Sequence, residues 1–321
     1  GNSMKTLLDD VIARPHIGTL DYEPKDFKPD VDVRWCAGCG GYSILSPVQR
    51  IMPELGIPKE KIAFISGIGC SGRFPYYMDT YGFHGIHGRA LPVATGLKLA
   101  RPDMDVFVVT GDGDCTSIGA GHWIHATRYN ANMVVMMLDN NIYGLTKNQT
   151  SPTTPLGYAS MTSPKGAVLP PLDPLQATLG VSNASFVAQT ADWVPAHLYA
   201  TLQAAYDHPG FSFIRILQRC PKFTPDVFQK HVQDPDMTEL LVHENGIDVP
   251  SLEQLFKARR THDPLNLDDA RALAARRDML RLGVFYRNDD LPVYEEIREV
   301  PKVSAEEKVA RLNKEFERYA V

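Results

Sequence analysis

At 321 residues, with 44% hydrophobic and 22% charged side chains, the chain can bury a full core as one large domain or a domain with an appendage. Its formal net charge of −5 gives no support to nucleic-acid binding. Apolar runs such as the six residues 133–138 fall far short of the roughly 20 that span a bilayer, so no membrane helix is expected.

Gly1-Asn2-Ser3 ahead of Met4 reads as a cloning remnant, no charged-then-apolar signal layout follows, and a cytoplasmic location is expected. Four runs rich in branched and aromatic residues, 61–66, 105–110, 133–138 and 211–217, each end in a Gly-rich or polar loop and predict buried parallel strands. Helical patterns over 90–99, 118–129 and 191–207 alternate with them, which predicts a doubly wound, mostly parallel α/β sheet. Residues 151–174, rich in Pro, Thr, Ser and Gly, predict a long ordered loop near a site, suited to act as a cover. From about residue 223 the chain turns charged and amphipathic, with helical patterns over 268–282 and 305–319. The expected organisation is an N-terminal arm (1–33), an α/β domain (34–222) and a mainly helical appendage (223–321) for packing or subunit contact.

Ligands of such sheets gather at the carboxyl ends of the strands. Cys70, Asp112, Asn140 and Cys220 follow the four predicted strands within a few residues, which places them on one edge. Gly111-Asp112-Gly113-Asp114, with 26 residues between Gly113 and Asn140, suits a magnesium diphosphate. The glycines allow close backbone approach, Asp112 and Asn140 offer hard oxygen ligands with the Ile142 carbonyl nearby, and a helix starting near Ile118 turns free N–H groups toward the negative charge. The spacing resembles the thiamine diphosphate motif, so that cofactor is expected.

Five cysteines are too few and too unevenly spaced for a disulfide scaffold. For the set Cys36-x2-Cys39-x30-Cys70-x149-Cys220, three uses compete. A thioredoxin-like redox pair explains only Cys36 and Cys39, and structural zinc usually takes two close pairs. A [4Fe–4S] cluster accepts thiolates from distant loops and is preferred. Cys115, inside the diphosphate motif, reads as a spare buried thiol. His122 and His125, one helical turn apart without an acidic third ligand, read as packed, hydrogen-bonded histidines.

Taken together, Trp35-Cys36-Ala37-Gly38-Cys39-Gly40, Gly67-Ile68-Gly69-Cys70-Ser71, His87-Gly88-Arg89-Ala90, Gly111–Asp114 and Tyr143-Gly144-Leu145-Thr146 resemble the β subunit of a 2-oxoacid:ferredoxin oxidoreductase over roughly residues 34–228. One departure is Lys147-Asn148-Gln149, where family members commonly carry Lys-Gly-Gln. The resemblance implies one [4Fe–4S] cluster on Cys36, Cys39, Cys70 and Cys220, and Mg²⁺ on Asp112, Asn140 and the Ile142 carbonyl. It implies thiamine diphosphate contacts from Gly69, Ser71, Gly111, Gly113, Asp114, Thr146 and His87. It further implies coenzyme A as co-substrate, ferredoxin as electron acceptor, and an α subunit that supplies the pyrimidine side in an αβ or α2β2 assembly. Arg73, three residues after Cys70, would suit the distal carboxylate of 2-oxoglutarate, so the expected reaction is coenzyme A-dependent oxidative decarboxylation of 2-oxoglutarate to succinyl-CoA and CO₂. A pyruvate-specific or broad-range oxidoreductase is the alternative. A non-redox thiamine decarboxylase or carboligase, or a zinc-bound structural subunit, are more distant ones.

Overall fold

The computed structural model describes residues 20–243, 247, 249–298 and 304–319. The strand candidates form: β1 (Ile62–Ser66), β3 (Asp105–Gly111), β4 (Met133–Asp139) and β6 (Phe211–Leu217) stand in the sheet. Sequence patterning missed the edge strand β2 (Tyr81–His84), which is short and exposed, and β5 (Phe186–Ala191), whose Ala188, Gln189 and Thr190 dilute its apolar signal. The order β2-β1-β3-β4-β6-β5 is parallel throughout. Nonconsecutive neighbours are joined by helical crossovers, which fulfils the doubly wound expectation.

Successive side chains of the strands face opposite layers. Phe64, Val109, Met136 and Ile214 pack toward α1 (Gly40–Leu55) and a later helix (Pro195–Asp207). Ile65, Val108, Val135 and Phe213 pack toward α2 (Ala90–Ala100) on the other face. Burial on both faces explains why these strands read as continuous apolar runs.

Two expectations need correction. The helix near Ile118 does not begin there: Asp112–Thr116 is itself a helical turn (α3), and α4 (Ala120–Tyr129) starts only after Ser117 breaks the path at φ −100°, ψ −105°. The helical N-terminus therefore falls on the Gly-Asp-Gly motif. The C-terminal part is also not mainly helical. It carries helices at Leu267–Ala275 and Ala305–Glu317, yet β7 (Thr238–Val242), β8 (Ala258–Thr261) and β9 (Leu280–Arg287) extend the sheet to nine strands. β9 docks antiparallel on β5 with a bulge at Val187/Ala188, so the last three strands run against the first six. The charged residues of the β8 and β9 segments, such as the buried Arg281 held by Glu239, hid the strand pattern. Among the described residues no helix is long and apolar enough to cross a membrane.

Candidate active site

The carboxyl edge of β1, β3, β4 and β6 carries two adjoining cavities. The first, about 230 Å³, is lined by Gly69, Ser71, His87, Gly111–Asp114, Asn140, Ile142 and Thr146, which assembles every residue expected at the diphosphate and its metal. Gly69 sits at φ +120°, a conformation open only to glycine, and lets the chain turn from β1 into the Cys70 loop. Gly113 is required by close approach, because a Cβ there would stand 2.1 Å from the Tyr143 ring. Asn141, at φ 60°, makes the left-handed turn that carries the chain from β4 past Asn140.

Asp112 is 3% exposed and its Oδ2 accepts hydrogen bonds from Ser151 Oγ (2.5 Å) and Thr153 Oγ1 (2.7 Å). Thr153 Oγ1 also lies 2.9 Å from Oδ1 of the fully buried Asp139, whose Oδ2 is held by Arg215 Nε at 2.7 Å. One hydroxyl proton thus lies between two carboxylates, and the guanidinium is spent on Asp139. Burial first, and Asp139 second, raise the Asp112 carboxyl well above its ordinary range. No side chain among the described residues donates to Asp112 Oδ1, while Asn140 Oδ1 accepts only the Ile142 N–H at 3.2 Å. A buried carboxylate short of positive charge, beside an amide oxygen, fits a hard divalent cation.

The Asp114 side chain is already engaged. Its Oδ1 accepts from Ile68 N (3.0 Å), His87 Nδ1 (2.8 Å) and Gly88 N (2.8 Å), and Oδ2 from Thr110 Oγ1 (2.7 Å). The carboxylate ties three loops together, so only the Asp114 backbone is left for a diphosphate. His87, fixed through Nδ1, keeps Nε2 for the cavity, and Thr146 Oγ1 donates to Gln149 at 2.8 Å.

The second cavity, about 160 Å³, is lined by all four expected thiols, Cys36, Cys39, Cys70 and Cys220, together with Arg73. It shares Cys70, Asn140, Gly144 and Leu145 with the first cavity. The loops are bound to one another: Trp35 Nε1 donates to the Cys70 carbonyl (2.7 Å), Gly40 N to the Arg219 carbonyl (3.0 Å), and Thr224 Oγ1 to the Asn140 carbonyl (2.9 Å). Burial pushes the Cys39 thiol up to about 12 and the Cys70 thiol up to about 11, with Arg73 partly opposing the latter. Among the described residues no three His, Cys, Asp or Glu side chains are placed to hold a metal ion. Four thiols lining one cavity have the donor chemistry to hold an iron–sulfur cluster.

Arg73 lines the thiol cavity and not the diphosphate cavity, so it stands across the shared wall from His87. Cys115 is 2% exposed and lines neither. His122 is half-buried and His125 exposed, outside both cavities, which corrects the packed reading of the pair. Sequence reasoning missed Ser151, Thr153 and Asp139. The expected cover over 151–174 begins as a support beneath Asp112, and only the hydroxyl-rich Thr150–Thr154 stretch hinted at it.

Residues 67–216 match the family model described as thiamine pyrophosphate enzyme, C-terminal TPP binding domain. The chain is 51% identical over 204 residues to the 2-oxoglutarate oxidoreductase subunit KorB of Mycobacterium tuberculosis, covering 64% of this chain and 54% of that one. It is 35% identical over 269 residues to the 2-oxoacid:ferredoxin oxidoreductase subunit beta of Saccharolobus solfataricus, covering 82% and 84%. The solved 2-oxoglutarate:ferredoxin oxidoreductase from Magnetococcus marinus, with 2-oxoglutarate, coenzyme A and succinyl-CoA bound, superposes with a TM-score of 0.76 at 37% identity, over 91% of this chain and 96% of that chain. A diphosphate cavity joined to a four-thiol cavity and this breadth of likeness lead to one conclusion: the chain belongs to the family of 2-oxoacid:ferredoxin oxidoreductase β subunits.

Proposed function

We propose that the chain is the β subunit of a 2-oxoglutarate:ferredoxin oxidoreductase, converting 2-oxoglutarate, coenzyme A and oxidised ferredoxin to succinyl-CoA, CO₂ and reduced ferredoxin. The observation that carries this reading is the shared wall between the two cavities, which sets a place for carbon chemistry beside a place for electron removal. When bound, thiamine diphosphate supplies the carbon nucleophile and electron sink for decarboxylation, and a [4Fe–4S] cluster supplies a one-electron outlet. Asp112, Asn140 and the Ile142 carbonyl would hold Mg²⁺, with Ser151 and Thr153 fixing the carboxylate. The N–H groups of Gly113 and Asp114, with Thr146, would meet the diphosphate. His87 Nε2, oriented by Asp114, would donate to an anionic oxygen on the same side.

Arg73 is half-buried, with no ion-pair partner among the described residues. A dicarboxylic substrate reaching across the shared wall would satisfy it, whereas pyruvate would leave it unpaired. An α subunit would supply the pyrimidine side and coenzyme A contacts in an αβ or α2β2 complex, and a cytoplasmic location accords with ferredoxin as acceptor.

The test is coenzyme A-dependent reduction of a low-potential viologen by the anaerobic complex, comparing 2-oxoglutarate with pyruvate. Strong preference for 2-oxoglutarate, lost in Arg73→Leu, is expected. Preference for pyruvate would refute the substrate assignment, and no reduction with either acid, despite bound iron and thiamine, would refute the redox reading.

A further inference from the structure

Each stretch of chain that brings a thiol to the second cavity also brings a cation. Arg34 precedes Cys36 by two residues, Arg73 follows Cys70 by three and Lys222 follows Cys220 by two, while the loop after β4 adds Lys147. All four line the cavity and no carboxylate does, in a chain whose net charge is −5. Arg73 is half-buried, but Arg34, Lys147 and Lys222 are exposed. Their engagements are slight: Arg34 reaches the exposed Asp32 at 3.4 Å, Lys222 lies 5.6 Å from the Phe223 ring centroid, and Lys147 has no ion pair among the described residues. Between them the mouth is apolar, with Leu145 at 44% exposure and Pro221 also exposed.

A [4Fe–4S] cluster on four thiolates would account for some positive charge nearby, but that task needs cations turned inward. Exposed lysine and arginine heads are strongly screened from a buried group and act instead on what approaches from solvent. An apolar centre ringed by exposed, weakly engaged charge of one sign is the pattern of a docking surface for a partner of opposite sign.

We propose that Arg34, Lys147 and Lys222 form the docking collar for a small acidic iron–sulfur electron carrier, which seats over Leu145 and Pro221 at the mouth of the four-thiol cavity. The inference rests on the reading that electrons leave through that cavity, and it adds the place and chemistry of their exit. In each encounter one electron passes from the reduced cluster to the oxidised carrier. Two encounters per 2-oxoacid are therefore needed, so the contact must be brief. Charge steering over a small interface gives fast arrival and fast release.

The test uses the complete α–β complex and its Arg34→Glu, Lys222→Glu and doubly reversed forms, with assembly checked by size-exclusion chromatography. Reduction of an acidic [4Fe–4S] ferredoxin is compared with reduction of methyl viologen across an ionic-strength series. We expect kcat/KM for ferredoxin to fall about tenfold per reversed charge at low salt, with a flattened salt dependence and an unchanged viologen rate. An unchanged ferredoxin rate in the double variant would overturn the proposal. Loss of the α–β complex would overturn it too, by assigning the collar to the partner subunit, as would equal loss of both acceptor activities. A wild-type complex that reduces neither acceptor would sink the underlying redox reading instead.

Discussion

Replacing Arg215 with methionine isolates the guanidinium that holds the buried Asp139 carboxylate, itself one hydroxyl away from Asp112. Asp139 is fully buried, and its Oδ2 is held by Arg215 while Thr153 and Asn141 satisfy Oδ1. Methionine keeps most of the side-chain volume but leaves Asp139 charged without a partner. Breaking a buried pair in this way costs about 3–5 kcal/mol. Arg215 is 16% exposed at its side chain and Asp139 keeps its neutral donors, so the lower end, about 3 kcal/mol, applies. For a chain of this size that is a fall in Tm of about 6 °C. The assay is thermal unfolding of the complex without added metal, in a double-mutant cycle with Asp139→Asn, which removes the charge but keeps an acceptor. The double variant should recover most of the loss, and apparent affinity for Mg²⁺ and thiamine diphosphate should fall in Arg215→Met because Thr153 is drawn toward Asp139. A loss below about 1 kcal/mol, or a double variant no more stable than Arg215→Met, would refute the buried-pair account.

Two further outcomes are expected. Serine at any one of Cys36, Cys39, Cys70 or Cys220 should lower bound iron and sulfide per chain, while Cys115→Ala should leave both unchanged; stoichiometric zinc in the wild type would contradict the cluster assignment. Because burial raises the Asp112 carboxyl, the folded chain holds that proton more tightly than the unfolded one, so this group's contribution falls as pH rises from the ordinary carboxylate range toward neutrality. Mg²⁺ with thiamine diphosphate should abolish the decline by stabilising the carboxylate. His197 and His243, pushed down to about 3 and about 4 chiefly by burial, tilt stability the other way near their unfolded pKa. The telling measurement is therefore the difference between Tm–pH curves with and without cofactor, and parallel curves would contradict the linkage.

The parts of this site that sequence could reveal were those with fixed spacing. Asp112 and Asn140 sit at the ends of neighbouring strands, and a strand–helix–strand unit has a nearly constant length, so their separation survives as a pattern. The thiols were legible because few other tasks in such a chain need four cysteines at strand ends. Ser151, Thr153 and Asp139 were not, because hydroxyls that support a carboxylate look like any loop residues until the loop is folded. The task of the Asp114 side chain was hidden for a like reason, since the motif names the residue but not the four donors that occupy its carboxylate. Likewise β7, β8 and β9 were hidden by charges that the fold pairs across strands, such as Glu239 with Arg260 and Arg281.

The antiparallel seam between β5 and β9 also bears on how far the chain can be shortened. A version trimmed after residue 222 would keep every lining residue of the first cavity, and all of the second's but Phe223, yet strip β5 of its neighbour, exposing a row of unmet backbone donors and acceptors along a buried strand. Such an open border invites pairing with other copies, so a minimal cofactor-binding fragment is expected to aggregate rather than fold as a soluble unit.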